Sequence, residues 1–237
     1  MKKANRYVAI DIEATGLNPK TERIIEIGAV RVVDGVITET FQQLVNPQKK
    51  LEDRIVELTG ISQRELEGEP IISDVIGRVL DFVGEDCLLG HSILSDYSFL
   101  KRAAVNYQFS FEKQGIDTLK IARIYLPQLE SKRLGDLCQH FQIPIQAHRA
   151  LEDARATAFL YEKMCETITG QVEERYFFPV PLIYKVKRET SITEKQKKRL
   201  YMLLDKHKIT EEVVVESMTR NEASRYMDLL CNTVGLH

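Results

Sequence analysis

At 237 residues, with 43% hydrophobic and 29% charged content, the chain holds enough apolar material for one large domain or for a domain plus a small module. A formal net charge of −2 gives no global basic signature of nucleic-acid binding, and no apolar run approaches the roughly 20 residues that a bilayer-spanning helix needs. Cys87, Cys138, Cys165 and Cys231 are far apart and show no C-x-x-C spacing, which excludes a zinc ribbon or a disulfide framework and fits reduced thiols.

The first residues, Met1 to Arg6, include basic side chains but no apolar stretch of the kind a signal peptide carries, so a cytoplasmic protein with no membrane partner is expected. Tyr7 to Ile10 is an apolar run typical of a buried strand, and it leads into Asp11-Ile12-Glu13-Ala14-Thr15-Gly16. Arg23 to Val33 is strongly β-prone, Asp34-Gly35 is a two-residue hairpin signal, and Val36 to Val45 reads as the returning strand. Leu51 to Leu58 reads as a short helix closed by Thr59-Gly60. After Pro70, Ile72, Val75, Ile76, Val79, Leu80 and Val83 recur at helical spacing. Cys87 to Gly90 is a short strand, Leu94 to Val105 a helix, and Gly115 to Asp117 a strand that leads into a helix over Thr118 to Tyr125. Helices follow at Leu134 to Phe141 and at Ala150 to Thr169, the latter with Leu151, Ala154, Ala158, Tyr161 and Cys165 on one stripe. Three strands followed by alternating helices and strands predict an α/β protein, a mixed sheet with helices packed on its faces.

Three stretches carry chemistry. Asp11 and Glu13 are two residues apart on a strand, so both carboxylates leave the same face. His91 to Asp96 follows a strand that ends at Gly90 and runs into a helix. His148 stands just before the long helix, with Asp153 in its first turns. Each alone has an ordinary reading: surface acids at a strand end, an acid that complements a helix dipole, a loop histidine.

Together the three stretches resemble the motifs of the DEDDh (DnaQ-like) 3′–5′ exonuclease family, the group that includes the proofreading epsilon subunit of bacterial DNA polymerase III. Asp11-Ile-Glu13 is similar to the first motif, His91 to Asp96 to the second and His148 to Asp153 to the third. Ile116-Asp117-Thr118-Leu119 and Leu134-Gly-Asp-Leu137 resemble the connecting segments. The resemblance spans about residues 6–168. It implies a ribonuclease H-like fold with a five-stranded mixed sheet. It also implies two divalent cations, Mg²⁺ with Mn²⁺ as a substitute, held by Asp11, Glu13, Asp96 and Asp153, with Asp11 bridging the two ions, and His148 as the general base. The backbone of Ala14, Thr15 and Gly16 is expected to approach the terminal nucleotide, Leu17 to wedge against its base and Thr59 to flank it. His91 and Phe99 are further expected substrate contacts, although a helical Phe three residues after Asp96 also suits a core. Ala14 and Ser92 replace the threonine and asparagine often found at those positions.

Chemistry explains why the carboxylate cluster that the resemblance implies would need metal. A like-charged pair at about 4 Å costs about 4 kcal/mol at an effective dielectric of 20, so clustered carboxylates call for cations, and Mg²⁺ takes oxygen ligands. The activity expected is hydrolysis of single-stranded DNA from 3′ ends to nucleoside 5′-monophosphates. The alternatives are an exoribonuclease, since the motifs do not read a 2′-OH, or a nucleic-acid-binding or docking module attached to a polymerase. Glu26, in an apolar strand, is read as structural.

Residues 1–170 are expected to form the nuclease domain, 171–190 a linker with Tyr176, Phe177, Phe178, Pro179 and Pro181, and 191–237 a small helical module, a candidate contact for a polymerase subunit. The charge splits accordingly, with 21 Lys/Arg and 25 Asp/Glu in 1–170 against 12 and 10 in 171–237. Ser191-x-x-Glu194 and Thr219-x-x-Glu222 both match the capping box that opens a helix.

Overall fold

A computed structural model describes residues 3–144, 149–168, 173–209 and 214–232. In chain order its elements are β1 (Arg6–Ala14), β2 (Ile24–Val33), β3 (Val36–Leu44), α1 (Asp53–Thr59), α2 (Gln63–Leu66), α3 (Ile72–Val83), β4 (Leu88–Gly90), α4 (Leu94–Asn106), β5 (Gln114–Asp117), α5 (Thr118–Tyr125), α6 (Leu134–His140), α7 (Ala150–Thr167), β6 (Val180–Pro181), α8 (Glu194–Lys206) and α9 (Arg220–Asn232). The strands form one mixed sheet in the order β3-β2-β1-β4-β5-β6. β1, β2 and β3 are an antiparallel meander, and β4 and β5 run parallel to β1. Asp34 and Gly35 both take positive φ, 50° and 80°, as a tight hairpin whose twist matches the strands requires.

Among the described residues the sheet has six strands where five were expected. The sixth lies inside the segment read as a linker: β6 pairs antiparallel with β5, Gln114 opposite Pro181 and Gly115 opposite Val180, and the Leu182 N–H donates to Lys113 O at 2.9 Å. A two-residue edge strand has too little side-chain pattern to be read, and proline is tolerated at an edge because its missing N–H costs no ladder bond. Phe177, just before β6, is fully buried beneath Tyr161 and Tyr125, and the Tyr161 hydroxyl donates to its carbonyl at 2.7 Å. Aromatic burial thus ties this segment to the sheet.

Side chains of β1 alternate between two cores. Tyr7 and Ala9 pack with α5, α6 and α7, whereas Val8 and Ile10 pack with α3 and α4. This period of two sends Asp11 and Glu13 to the α7 side. Cys87, Cys138, Cys165 and Cys231 are all free thiols.

Two compact units are present, Met1–Val186 and Lys187–His237. In the second, Leu200 of α8 and Ala223, Met227 and Leu230 of α9 share a small core with Ile192 and Val215. Thr219 and Glu222 make the expected reciprocal cap, the Thr219 N–H donating to Glu222 at 2.7 Å and the Glu222 N–H to Thr219 Oγ1 at 3.2 Å. The first cap falls elsewhere. Thr193 with Gln196 opens α8, while Ser191 forms an isolated bridge to Thr219. Both pairs fit the same four-residue template, and pairing of Ser191 with Thr219 selects the later start.

Candidate active site

Carboxylates gather where β1 runs past its neighbour. On the β4 side the Val8 N–H donates to Cys87 O at 2.9 Å, and β4 ends at Gly90. Further along that same edge of β1, the Ile12 N–H has no β4 residue to meet and donates instead to Asp96 Oδ1, at 3.2 Å. Asp96 therefore arrives from the first turn of α4, the opposite face from Asp11 and Glu13.

Asp153 arrives from α7. Asp11, Glu13 and Asp153 each offer a carboxylate oxygen, and these oxygens lie within 4.8 Å of one another. Such closeness depends on Gly28. It faces Asp11 across β1 and β2, and a Cβ there would stand 2.0 Å from Leu151 N and 2.1 Å from Ala150 C. The start of α7 thus lies directly on a bare backbone, which brings Asp153 down to the strand. His148 falls outside the described residues.

Burial and crowding both disfavour the charged carboxylates. The Asp11 carboxyl is held well above the usual range, first by burial and then by Asp96, Asp153, Glu13 and Glu26. Asp96 is raised by burial and by Glu13 and Asp117, against the pull of its backbone donors. Glu13 is pushed up to about 7 by burial, Asp153 and Glu26, with Arg149 acting the other way. At 4.8 Å and an effective dielectric of 20, each like-charged pair costs about 3 kcal/mol. Three hard oxygen donors in mutual repulsion fit an oxygen-liganded divalent cation such as Mg²⁺ or Mn²⁺.

Glu26, read from the sequence as structural, is the residue that ties these parts together. It lies directly opposite Glu13 in the β1–β2 ladder and is fully buried. Its Oε2 accepts the Ala150 N–H at 3.1 Å and Arg149 Nε at 3.2 Å, and its Oε1 accepts Arg149 Nη2 at 3.0 Å and Gln42 Nε2 at 2.7 Å. The carboxylate therefore holds the first residue of α7 and the residue before it. A charged side chain within the apolar run Ile24 to Val33 was the available signal, because a buried charge must be paired.

Beside the carboxylates lies a cavity of about 620 Å³ whose lining includes Glu13, Ala14, Gly16, Leu17, Asp96 and Phe99. Leu17 is 94% exposed and Phe99 is 7% exposed, so Leu17 stands free at the cavity while Phe99 is also part of the core. The side chains of the other expected contact residues are engaged within the protein. Thr15 is buried, and its hydroxyl donates to Glu22 at 2.6 Å and accepts the Arg23 N–H at 3.0 Å, which closes the loop that carries Leu17. Thr59 points inward, its hydroxyl donating to Ile55 O at 2.8 Å, and the adjacent Leu58 together with Arg54 lines the cavity in its place. His91 uses both ring nitrogens inside the protein, Nδ1 with Thr118 Oγ1 at 2.9 Å and Nε2 with Lys132 O at 2.8 Å. Burial lowers its pKa, which fits a neutral internal strut. Which face of a one-helix turn meets the cavity is a tertiary matter that the spacing in the loop does not reveal.

The sheet order, with helices on both faces and carboxylates at the end of its central strand, defines a ribonuclease H-like fold. The chain belongs to the exonuclease family RNase_T, which matches residues 8–161, and to its DEDDh group. It is 37% identical over 164 residues to the DNA polymerase III subunit epsilon of Aquifex aeolicus, covering 68% of this chain and 81% of that one. It is 36% identical over 167 residues to the PolC-type DNA polymerase III of Clostridium perfringens, where it spans only 12% of the relative's length. Exonuclease I of E. coli, solved with a dT13 oligonucleotide, shares the fold at a TM-score of 0.62, with 19% identity over 70% of this chain and 42% of that one. Exonuclease X, solved with 5′-overhanging duplex DNA, superposes at a TM-score of 0.56 with 26% identity, over 68% of this chain and 92% of that one.

Proposed function

We propose that the chain is a divalent-cation-dependent 3′–5′ exonuclease that removes nucleoside 5′-monophosphates from single-stranded DNA ends. The observation that carries this is the convergence of Asp11, Glu13 and Asp153, with Asp96 on the other side of β1, beside a cavity large enough for a nucleotide. Asp11, Glu13, Asp96 and Asp153 would hold two cations, Mg²⁺ or Mn²⁺. When bound, such ions supply charge stabilisation for the attacking and leaving oxygens of the phosphodiester.

The chain's own residues do the rest. Leu17 and Leu58 give the cavity apolar walls for a terminal base, and the backbone at Ala14 to Gly16 borders the sugar. His148 serves as general base for the attacking water, a role for which an imidazole is the usual side chain near neutral pH. Arg149, the next residue, is anchored by Glu26, which also holds the start of α7 beside β1 and β2. Relatives named as a DNA polymerase III subunit epsilon and a PolC-type DNA polymerase III support a polymerase subunit as the proposed partner, with residues 187–237 as its contact and the cytoplasm as its location. Among the described residues no helix is long and apolar enough to cross a membrane.

The test is hydrolysis of 5′-labelled single-stranded DNA and RNA of one sequence, with Mg²⁺, with EDTA, and with Asp11→Ala protein. A metal-dependent ladder that shortens from the 3′ end, faster on DNA and absent with Asp11→Ala, is the expected result. A faster RNA ladder shifts the reading to an exoribonuclease. Absence of turnover with either cation, alongside oligomer binding, refutes the enzyme reading in favour of docking.

A further inference from the structure

A second groove, of about 390 Å³, opens beyond the carboxylate site and is lined by His91, Ser92, Leu119, Arg123, Lys132 and Arg133. Three of its six residues are cations and none is a carboxylate, the reverse of the cavity lined by Glu13, Glu22 and Asp96. β4 and β5 run parallel to β1, so their C-terminal ends share one edge of the sheet with Asp11 and Glu13. His91 and Ser92 follow β4, and Leu119 follows β5. At about 4.8 Å between neighbouring strands, the groove begins about 5 to 10 Å along that edge from the end of β1.

The groove is braced from within. His91 accepts no outside role, since its Nε2 holds Lys132 O at 2.8 Å and thereby fixes the loop that presents Lys132 and Arg133. The Arg133 N–H donates to Ser131 Oγ at 3.3 Å. Two acids border the groove and each is engaged: Asp117 Oδ1 accepts backbone N–H groups from Ser92, Leu119 and Lys120 at 3.0, 3.0 and 3.3 Å, and Asp136 accepts the Ser131 hydroxyl. The Lys132 ammonium donates to Leu129 O and keeps further protons for an anion. Arg123 and Arg133 are exposed.

We infer that this groove binds the phosphodiester backbone of the single strand upstream of its 3′-terminal nucleotide, one or two phosphates from the bond being cut. The inference rests on the proposed nuclease reading for the strand's direction. A cationic track beside a catalytic pocket is how proteins hold single strands without reading sequence. It also explains how a chain of net charge −2 retains a polyanion whose end must enter an acidic site.

The test compares the wild-type chain with an Arg123→Gln/Arg133→Gln double variant. Binding of a 5′-fluorescein oligothymidylate is followed by anisotropy in EDTA. The variant is expected to bind about tenfold more weakly, and its dependence of log K on log salt to flatten by about 1.4, because each single-strand phosphate contact contributes about 0.7. An Arg123→Lys/Arg133→Lys variant retains most of the affinity, since a point charge suffices for a phosphate. Hydrolysis of the p-nitrophenyl ester of thymidine 5′-monophosphate, which has no upstream phosphate, proceeds with unchanged kcat/KM in both variants. Unaltered oligomer binding and salt slope in the Gln variant overturn the inference, as does equal loss on oligomer and ester. Absence of turnover by the wild type on every substrate defeats the nuclease reading, while the anisotropy arm still decides the groove.

Discussion

Replacing Glu26 by Gln conserves shape yet should still destabilise the fold, though less than replacing it by Ala. Both carboxylate oxygens accept from donors: Oε1 from Arg149 Nη2 and Gln42, Oε2 from Arg149 Nε and the Ala150 N–H. Whichever way a Gln amide is turned, its NH₂ faces two donors. Breaking a buried ion pair costs about 3–5 kcal/mol. Here the Arg149 side chain is 37% exposed and can recover water, which reduces the loss. The buried Ala150 N–H cannot, and in the Ala variant leaving it unpaired costs about 1–3 kcal/mol, whereas a Gln keeps its amide oxygen toward Ala150 by turning its NH₂ against Arg149 Nη2 and Gln42. Relief of the repulsion that Glu26 exerts on Asp11 and Glu13 offsets part of this. The net is about 2–3 kcal/mol for Glu26→Ala and about 1–2 kcal/mol for Glu26→Gln, falls in melting temperature of about 5–10 °C and about 3–6 °C for a domain of this size. Thermal unfolding followed by circular dichroism in EDTA at neutral pH measures it. Turnover should fall as well, because the start of α7 carries Arg149 and Asp153. An E26Q protein that melts within about 1 °C of wild type would falsify the clamp.

Three further outcomes follow from the same geometry. Gly28→Ala places a Cβ against the backbone of Ala150 and Leu151, which cannot move as a side-chain end can; the expected cost is at the upper end of about 1–3 kcal/mol, with nuclease activity lost even where the protein remains folded at low temperature. In EDTA the first unit should be less stable at pH 8 than at pH 6. Glu13 keeps its proton to about 7 in the folded chain but loses it near 4.5 when unfolded, so its contribution to stability is present below the unfolded value and is lost as pH rises through about 7, at up to about 1.4 kcal/mol per unit. Mg²⁺ should therefore raise the melting temperature more at pH 8 than at pH 6, and scanning fluorimetry that shows equal increments would contradict this. Leu17→Ala removes a side chain that is 94% exposed, so stability should change by less than about 0.5 kcal/mol while KM for oligonucleotides rises several-fold; a loss confined to kcat would count against a base contact.

Much of this architecture is legible in the sequence because it is set by local periods. Tyr7 to Glu13 alternates between faces as any strand must, so two carboxylates on one side were implied before any fold was known. The Asp34-Gly35 turn follows from the rare positive φ values that a tight hairpin demands and few residues supply. The helices that carry Asp96 and Asp153 are legible from their apolar periods, while these two acids stand out through the resemblance of His91 to Asp96 and His148 to Asp153 to known motifs.

What tertiary structure decided are the pairings between distant residues. Nothing near Glu26 announces that its partners are Arg149 and Ala150, 123 and 124 positions away. Gly28 is an ordinary strand glycine until α7 settles on it. Two-residue β6 has no pattern of its own and exists because β5 offers an edge and Phe177 is buried beside it. Thr59 and His91 lie close to the site in sequence but turn inward, because Ile55 O in one case and Thr118 and Lys132 O in the other satisfy them there. Local chain stereochemistry determines which face a residue takes, whereas burial of polar groups, which tolerates no unpaired donor, selects the distant partner it meets.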